Sequence, residues 1–123
     1  MSVFKPDNLT DAKYENKEYL MNAYDNTIRY TDGFLASLIT LLQKMNSFSA
    51  MLYTSDHGED IFDDNRKLFL HASPVPSYYQ LHVPFLIWLS KAYREENVEV
   101  HEAILQNREK PVAGNASVFH TML

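Results

Sequence analysis

The stretch LYTSDHGED, residues 52–60, decides how the rest of this chain is read. Leu52 and Tyr53 read as the end of a buried strand, yet Ser55, Asp56, His57, Gly58, Glu59 and Asp60 follow at once. Three carboxylates and an imidazole are costly to bury unless something pairs with them. Either this is a solvated turn, or the acids and the histidine gather around a cation. Just upstream, Ala50 to Thr54 is a short apolar run without polar alternation, as in a strand covered on both faces. Val83 to Leu89, VPFLIWL, is a second such run, with Pro84 near its start, where a missing N–H does least harm. Between the two, Ser55 to about Ser77 reads as a loop rich in charge and proline. Its acids Glu59, Asp60, Asp63 and Asp64 are most simply solvated.

Further out, Lys17 to about Met45 has helical spacing. Leu20, Tyr24, Ile28, Thr31, Leu35, Leu38, Ile39 and Leu42 recur at steps of three or four and so share one face. Asn46 and Ser47 break the pattern. Residues 1–16 are a polar lead-in, Tyr93 to Arg108 is charged and ambiguous, and Asn115 to Leu123 reads as the start of a helix. Helix, strand, long loop, strand, helix predicts part of an α/β sheet with parallel strands and covering helices. Two strands do not make a sheet that stands alone. The order therefore predicts a portion of a larger domain, with a sheet edge open to self-association. Ligands of open α/β sheets bind beyond the carboxyl ends of the strands, where Asp56 and His57 sit.

Composition narrows the function. The 46% hydrophobic content belongs to a globular chain rather than a disordered tail. A net charge of -5, with no block of Lys or Arg, argues against nucleic acid as partner. Cysteine is absent, which excludes disulfides, thiolate metal sites and a Cys nucleophile. No apolar run approaches the roughly 18 residues that span a bilayer, so the chain as it stands is expected to be soluble.

Asp followed by His offers a hard oxygen and an imidazole nitrogen, good ligands for zinc and acceptable ones for manganese. Gly58 lets the backbone turn tightly so that both side chains can face one point. Two ligands are too few for a zinc site, so either His71 joins them or the others lie outside this chain. His71, in FLHASPVP, reads either as a hydrogen-bonded loop histidine or as a donor to an anionic ligand or general acid. His82, His101 and His120 have no comparable context and read as structural or exposed.

Four segments in order, NAYDNTIRYTD (22–32), MLYTSDHGED (51–60), FLHASP (69–74) and VPFLIWLS (83–90), resemble the phosphoethanolamine transferases of bacterial lipid A. These belong to the sulfatase-like branch of the alkaline phosphatase superfamily. The resemblance runs from about Phe4 to Leu123 and implies a partial alkaline-phosphatase/sulfatase-like sheet with covering helices. It implies a zinc-dependent enzyme whose threonine takes phosphoethanolamine from phosphatidylethanolamine and passes it to a lipid A or glycan acceptor. Asp56 and His57 would be metal ligands, and His71 would lie near the substrate phosphate. It implies a bacterial inner-membrane protein with a periplasmic catalytic domain.

Two departures stand beside the resemblance. Ala72 follows the histidine where the family has Gly. Before Asn22 nothing matches the family's nucleophilic threonine, its glutamate ligand or its further substrate histidine. Thr10, Thr27, Thr31, Thr40, Thr54 and Thr121 are all out of context. Residues 1–123 are thus expected to be the C-terminal portion of a sulfatase-like catalytic domain, without its upstream part and membrane helices. Sulfatases and phosphoglycerol transferases share the Asp-His-Gly element and are the nearest alternatives. A non-catalytic module that kept the fold is the other.

Overall fold

A computed structural model describes residues 2–8, 11–71, 73–112 and 114–122; Thr10, Ala72 and Leu123 lie outside the described residues. The lead-in holds one 3₁₀ turn, Tyr14–Asn16, and runs back along the first helix. There Asn26 accepts the backbone N–H groups of Val3 and Phe4 and donates to the Phe4 carbonyl. Helix α1 spans Lys17–Met45, as the spacing predicts. Glu18 in its first turn and Lys44 in its last complement the helix dipole. Asn46 ends it in the left-handed conformation, φ 47°, which asparagine tolerates better than most residues. Of the predicted apolar stripe, Leu20 is buried and the rest are half-buried except Ile28, which is exposed.

Strands β1, Ala50–Thr54, and β4, Phe85–Leu89, form one two-stranded sheet. The parallel arrangement expected from the element order is overturned. The strands run antiparallel in the register Ala50↔Leu89 to Thr54↔Phe85. A parallel pair needs a crossover, usually a helix of several turns. Among the described residues, the one helix between these strands is α2, Tyr78–Leu81, a single turn. Nor are the faces of β1 fully covered, since its residues are half-buried or exposed.

The expected loop carries structure of its own. Strands β2, Asp60–Ile61, and β3, Phe69–Leu70, pair antiparallel, with Asp60↔Leu70 and Ile61↔Phe69. Ile61 and Phe62 pack with Leu20, and Tyr24 and Phe69 close around them; this is the principal buried cluster among the described residues. The Phe62 and Phe69 rings stack at 5.3 Å. The cluster thus fixes the β2–β3 pair to the first two turns of α1. The ambiguous stretch after β4 resolves into α3, Lys91–Glu96, and α4, Val98–Asn107, parted at Asn97. Helix α5 covers Asn115–Met122. No helix among the described residues is long and apolar enough to cross a membrane.

Candidate functional site

Asp56 and His57 leave the carboxyl end of β1 as the chain turns toward β2. Asp56 is exposed, and its Oδ1 accepts the His57 backbone N–H at 3.0 Å. That bond, above all, holds the Asp56 carboxyl below the usual carboxylate range, with the Ser55 hydroxyl adding to it. The His57 ring Nδ1 lies 3.0 Å from the Gly58 carbonyl. A carbonyl only accepts, so Nδ1–H donates to it, and in the neutral ring that tautomer leaves Nε2 as the nitrogen able to bind a metal. Nε2 stands 3.6 Å from Asp56 Oδ2. Two donors each 2.0–2.1 Å from a tetrahedral zinc would lie about 3.3 Å apart. The pair therefore fits two vertices of such a site. A metal-bound histidine ordinarily donates its other N–H to a carbonyl or carboxylate, as His57 does here.

Gly58 serves a purpose other than a left-handed turn. A Cβ placed there would stand 2.1 Å from the Tyr79 carbonyl oxygen, and no positive φ is found at this residue. Its N–H donates to the Gln80 carbonyl at 2.8 Å. What the backbone requires of Gly58 is close approach to α2.

The acidic run is not the solvated loop that its charge predicts. Asp60 is fully buried, Glu59 and Asp63 are half-buried, and Asp63 pairs with Lys17 at 3.5 Å. Folding β2 against the Leu20 cluster carries these acids inward, and each finds a partner there. Asp60 Oδ2 accepts a short hydrogen bond from the Gln80 side-chain amide, while its Oδ1 has no partner among the described residues.

His71 follows β3 and reaches the same place from the opposite side. Its Nδ1–H donates to Glu59, 2.9 Å from Oε1 and 3.1 Å from Oε2. The His71 and His57 rings lie 3.9 Å apart, centre to centre, tilted by 38°. His57, Glu59 and His71 present ligand atoms all within 4.8 Å of one another, a second donor set that shares His57 with the first. His71 Nε2 is left free of the Glu59 bond. Beside Glu59 opens a cleft of about 250 Å³ lined also by Tyr24, Asp25, Asp63, Tyr79 and His82. A larger hollow of about 500 Å³, between Ser2 and the outer face of α1, contains none of these groups.

Residues 3–123 match the sulfatase family. The chain belongs to that family. It is 33% identical to the phosphoethanolamine transferase EptA of Helicobacter pylori over 124 residues, 98% of this chain and 22% of that protein. The integral membrane lipooligosaccharide phosphoethanolamine transferase EptA of Neisseria meningitidis superposes with a TM-score of 0.69 at 32% identity. That match takes in 77% of this chain and 18% of the Neisseria one. The C-terminal periplasmic domain of EptC from Escherichia coli, solved with zinc, gives 0.60 at 28% identity over 74% of this chain and 25% of its own. The chain thus spans about a fifth of the length of the curated relatives it matches. Its small sheets and covering helices are a partial sulfatase-like α/β fold.

In this member of the sulfatase family the fold brings Asp56, His57 and His71 together, and it adds Glu59, whose charge alone predicts a solvated loop. A signal for Glu59 does exist in the sequence. Alternate residues of an extended segment point the same way, which puts Glu59 beside His57. Gln80 carries no such signal, because its contacts are all to residues at least ten positions away or to its own one-turn helix. The threonines set aside as out of context are, where the structure describes them, mostly hydrogen-bonded locally. Thr27, Thr40 and Thr121 donate to carbonyls of their own helices, and Thr54 to the Ser55 carbonyl.

Proposed function

We propose that this chain is the C-terminal, metal-holding portion of a phosphoethanolamine transferase. In this reading the full-length protein takes phosphoethanolamine from phosphatidylethanolamine and passes it to lipid A or a related glycan. The observation that carries it is the Asp56–His57 geometry: an anionic oxygen and a free imidazole nitrogen 3.6 Å apart, with His71 stacked beside them. The relatives named above supply the transfer chemistry, the acceptor class and the membrane setting, with the catalytic part in the periplasm.

Asp56 and His57 would hold a divalent metal, zinc first and manganese as an alternative. Such an ion, when bound, offsets charge on phosphoryl oxygens and favours the ionised form of a nucleophile. Asp56 stays anionic because the His57 N–H stabilises its carboxylate. His57 is kept in the ligating tautomer by the Gly58 carbonyl. Glu59 fixes the ring of His71 so that Nε2 can face a phosphate oxygen. A threonine outside residues 1–123 is proposed as the nucleophile, forming the phospho-threonine from which the acceptor is served. Alone, residues 1–123 leave both edges of the β1–β4 pair open among the described residues, which favours self-association.

The test uses the full-length protein with a fluorescent phosphatidylethanolamine and lipid A. Transfer should be metal-dependent and should vanish on Asp56→Ala or His57→Ala. Full turnover by either variant would remove the two residues from the site. Because the family match is to sulfatases at large, a sulfate ester and a phosphatidylglycerol donor belong in the same assay. Preference for either would move the activity within the family.

A further inference from the structure

One residue, in neither donor set, ties the two arms of the site together. Gln80 lies in the single turn α2, 5% exposed, and its N–H is held by the Ser77 hydroxyl at 3.1 Å. Its carbonyl accepts the Gly58 N–H at 2.8 Å, directly beside His57. Its side-chain Nε2 makes the short bond to Asp60 Oδ2 and a second bond, 3.3 Å, to the Leu70 carbonyl. An amide nitrogen has two N–H donors, and here each has its acceptor. The amide cannot be flipped, because its oxygen would then face a carboxylate and a carbonyl, both acceptors. Leu70 itself sits at φ 63°, a region a leucine rarely adopts, and the next residue is His71.

We propose that Gln80 is a positioning residue: it locks the turn carrying His57 and Glu59 to the strand end carrying His71, and so sets the separation of the two imidazoles. Its carbonyl and amide reach Gly58 and Asp60 on one arm and Leu70 on the other. With both N–H groups used, the left-handed backbone at Leu70 has a fixed partner, and His71 is delivered to Glu59. The inference rests on the transferase reading for its kinetic readout only; the geometric readout stands without it.

The experiment uses the full-length protein and three changes. Gln80→Met keeps a long unbranched side chain and the backbone bonds but removes both amide donors. Asp60→Asn with Gln80→Glu reverses the first bond, since an Asn amide can donate to a Glu carboxylate, yet leaves the Leu70 carbonyl facing an acceptor. His71→Ala is combined with Gln80→Met. The ring nitrogen signals of His57 and His71 are followed by NMR, alongside kcat, KM and melting temperature.

Gln80→Met is expected to move the His71 signals and lower kcat by about 10- to 100-fold, the usual cost of losing an outer partner of a site. KM should change little. In the His71→Ala background the same change should cost less than about 3-fold, because the two residues act through one contact. The reversed pair should recover only part of the melting temperature lost in Gln80→Met, because the Leu70 carbonyl stays without its donor, while the His71 signals stay displaced and kcat stays low. Additive losses, unmoved His71 signals, or full recovery of kcat by the reversed pair would overturn the proposal. If Gln80→Met does not fold, the reversed pair decides. If the wild type shows no transfer, the transferase reading fails, and the ring signals still judge Gln80.

Discussion

The β1–β4 pair and the segment between its strands are organised in opposite ways. The pair is aligned by backbone hydrogen bonds through a five-residue register, while most of its apolar side chains remain half-buried or exposed. The intervening segment has two strands of two residues each and one helical turn, yet it holds Asp60, Ser77 and Gln80, all 5% exposed or less. Regular structure and burial have parted company. Polar groups this deep are tolerated only when they are hydrogen-bonded. Ser77 caps α2 and Gln80 meets Asp60, so the segment is tied together by side chains where the pair is tied by backbone. The candidate site stands where the two regimes meet, at the end of β1.

Breaking the site itself should have the largest effect. If Asp56 and His57 hold the metal as proposed, losing either in the full-length protein would remove metal-based stabilisation worth several kcal/mol, so turnover should fall on the order of 10³-fold or more. Melting temperature should barely move, since Asp56 is exposed and His57 only half-buried. Glu59→Gln sharpens the comparison at the next level. It keeps size and an acceptor oxygen for the His71 N–H but loses the charge. Turnover should drop by about 10- to 100-fold, as for an outer partner of a ligand or substrate group. An unchanged rate would mean that the negative charge of Glu59, whose contact to His71 at 2.9 Å a glutamine oxygen can keep, has no part in the chemistry.

Two glycines then test the regimes directly. At Gly58 a Cβ meets the backbone oxygen of Tyr79, which cannot move without disturbing α2. Gly58→Ala should destabilise by about 1–3 kcal/mol, as overpacking does. Gly33 lies mid-helix in α1, with nothing within 4 Å of the point where a Cβ would stand. Gly33→Ala should instead stabilise by about 0.5–1 kcal/mol, from helix propensity. Denaturant melts of both variants give the signs. Equal effects would show that the intervening segment is no tighter than the helix surface.

Much of this is legible in the sequence. Helix α1 and strand β1 fall on the predicted limits because each has a strong local signal: apolar spacing ended by Asn46, and a five-residue apolar run. Strand direction is not legible, since it depends on what the connection contains, and a one-turn helix leaves little trace in a sequence. Strand β4 begins at Phe85 rather than Val83, after Pro84, which has no N–H for the ladder. At the site, Asp56, His57 and His71 stand out by residue type. Asp60 and Gln80 do not, because a charged residue in a loop is ordinarily solvated and only the tertiary fold reveals its partner. Gly58 stands out too, but its smallness is what matters, while its φ does not.

The smallest effect concerns Tyr24, which belongs to both regions. It leans on the Leu20 cluster and also lines the cleft beside Glu59. Burial pushes its phenol above the ordinary range, and the negative charges of Glu59, Asp25 and Asp63 push the same way. A raised value in the folded state means that the protonated phenol is the form the fold favours. That contribution to stability is fully present below the unfolded phenol value, near 10, and is lost as pH rises through the folded one. Tyr24 ionisation can be followed by ultraviolet difference spectra against Tyr24→Phe. In Glu59→Gln the midpoint should move down toward the ordinary value, because one of the charges opposing the phenolate is gone, though burial keeps part of the shift. A midpoint that stays put would mean that Glu59 is electrically insulated from α1. Site and helix would then be linked by packing alone, and the cleft would carry no shared field.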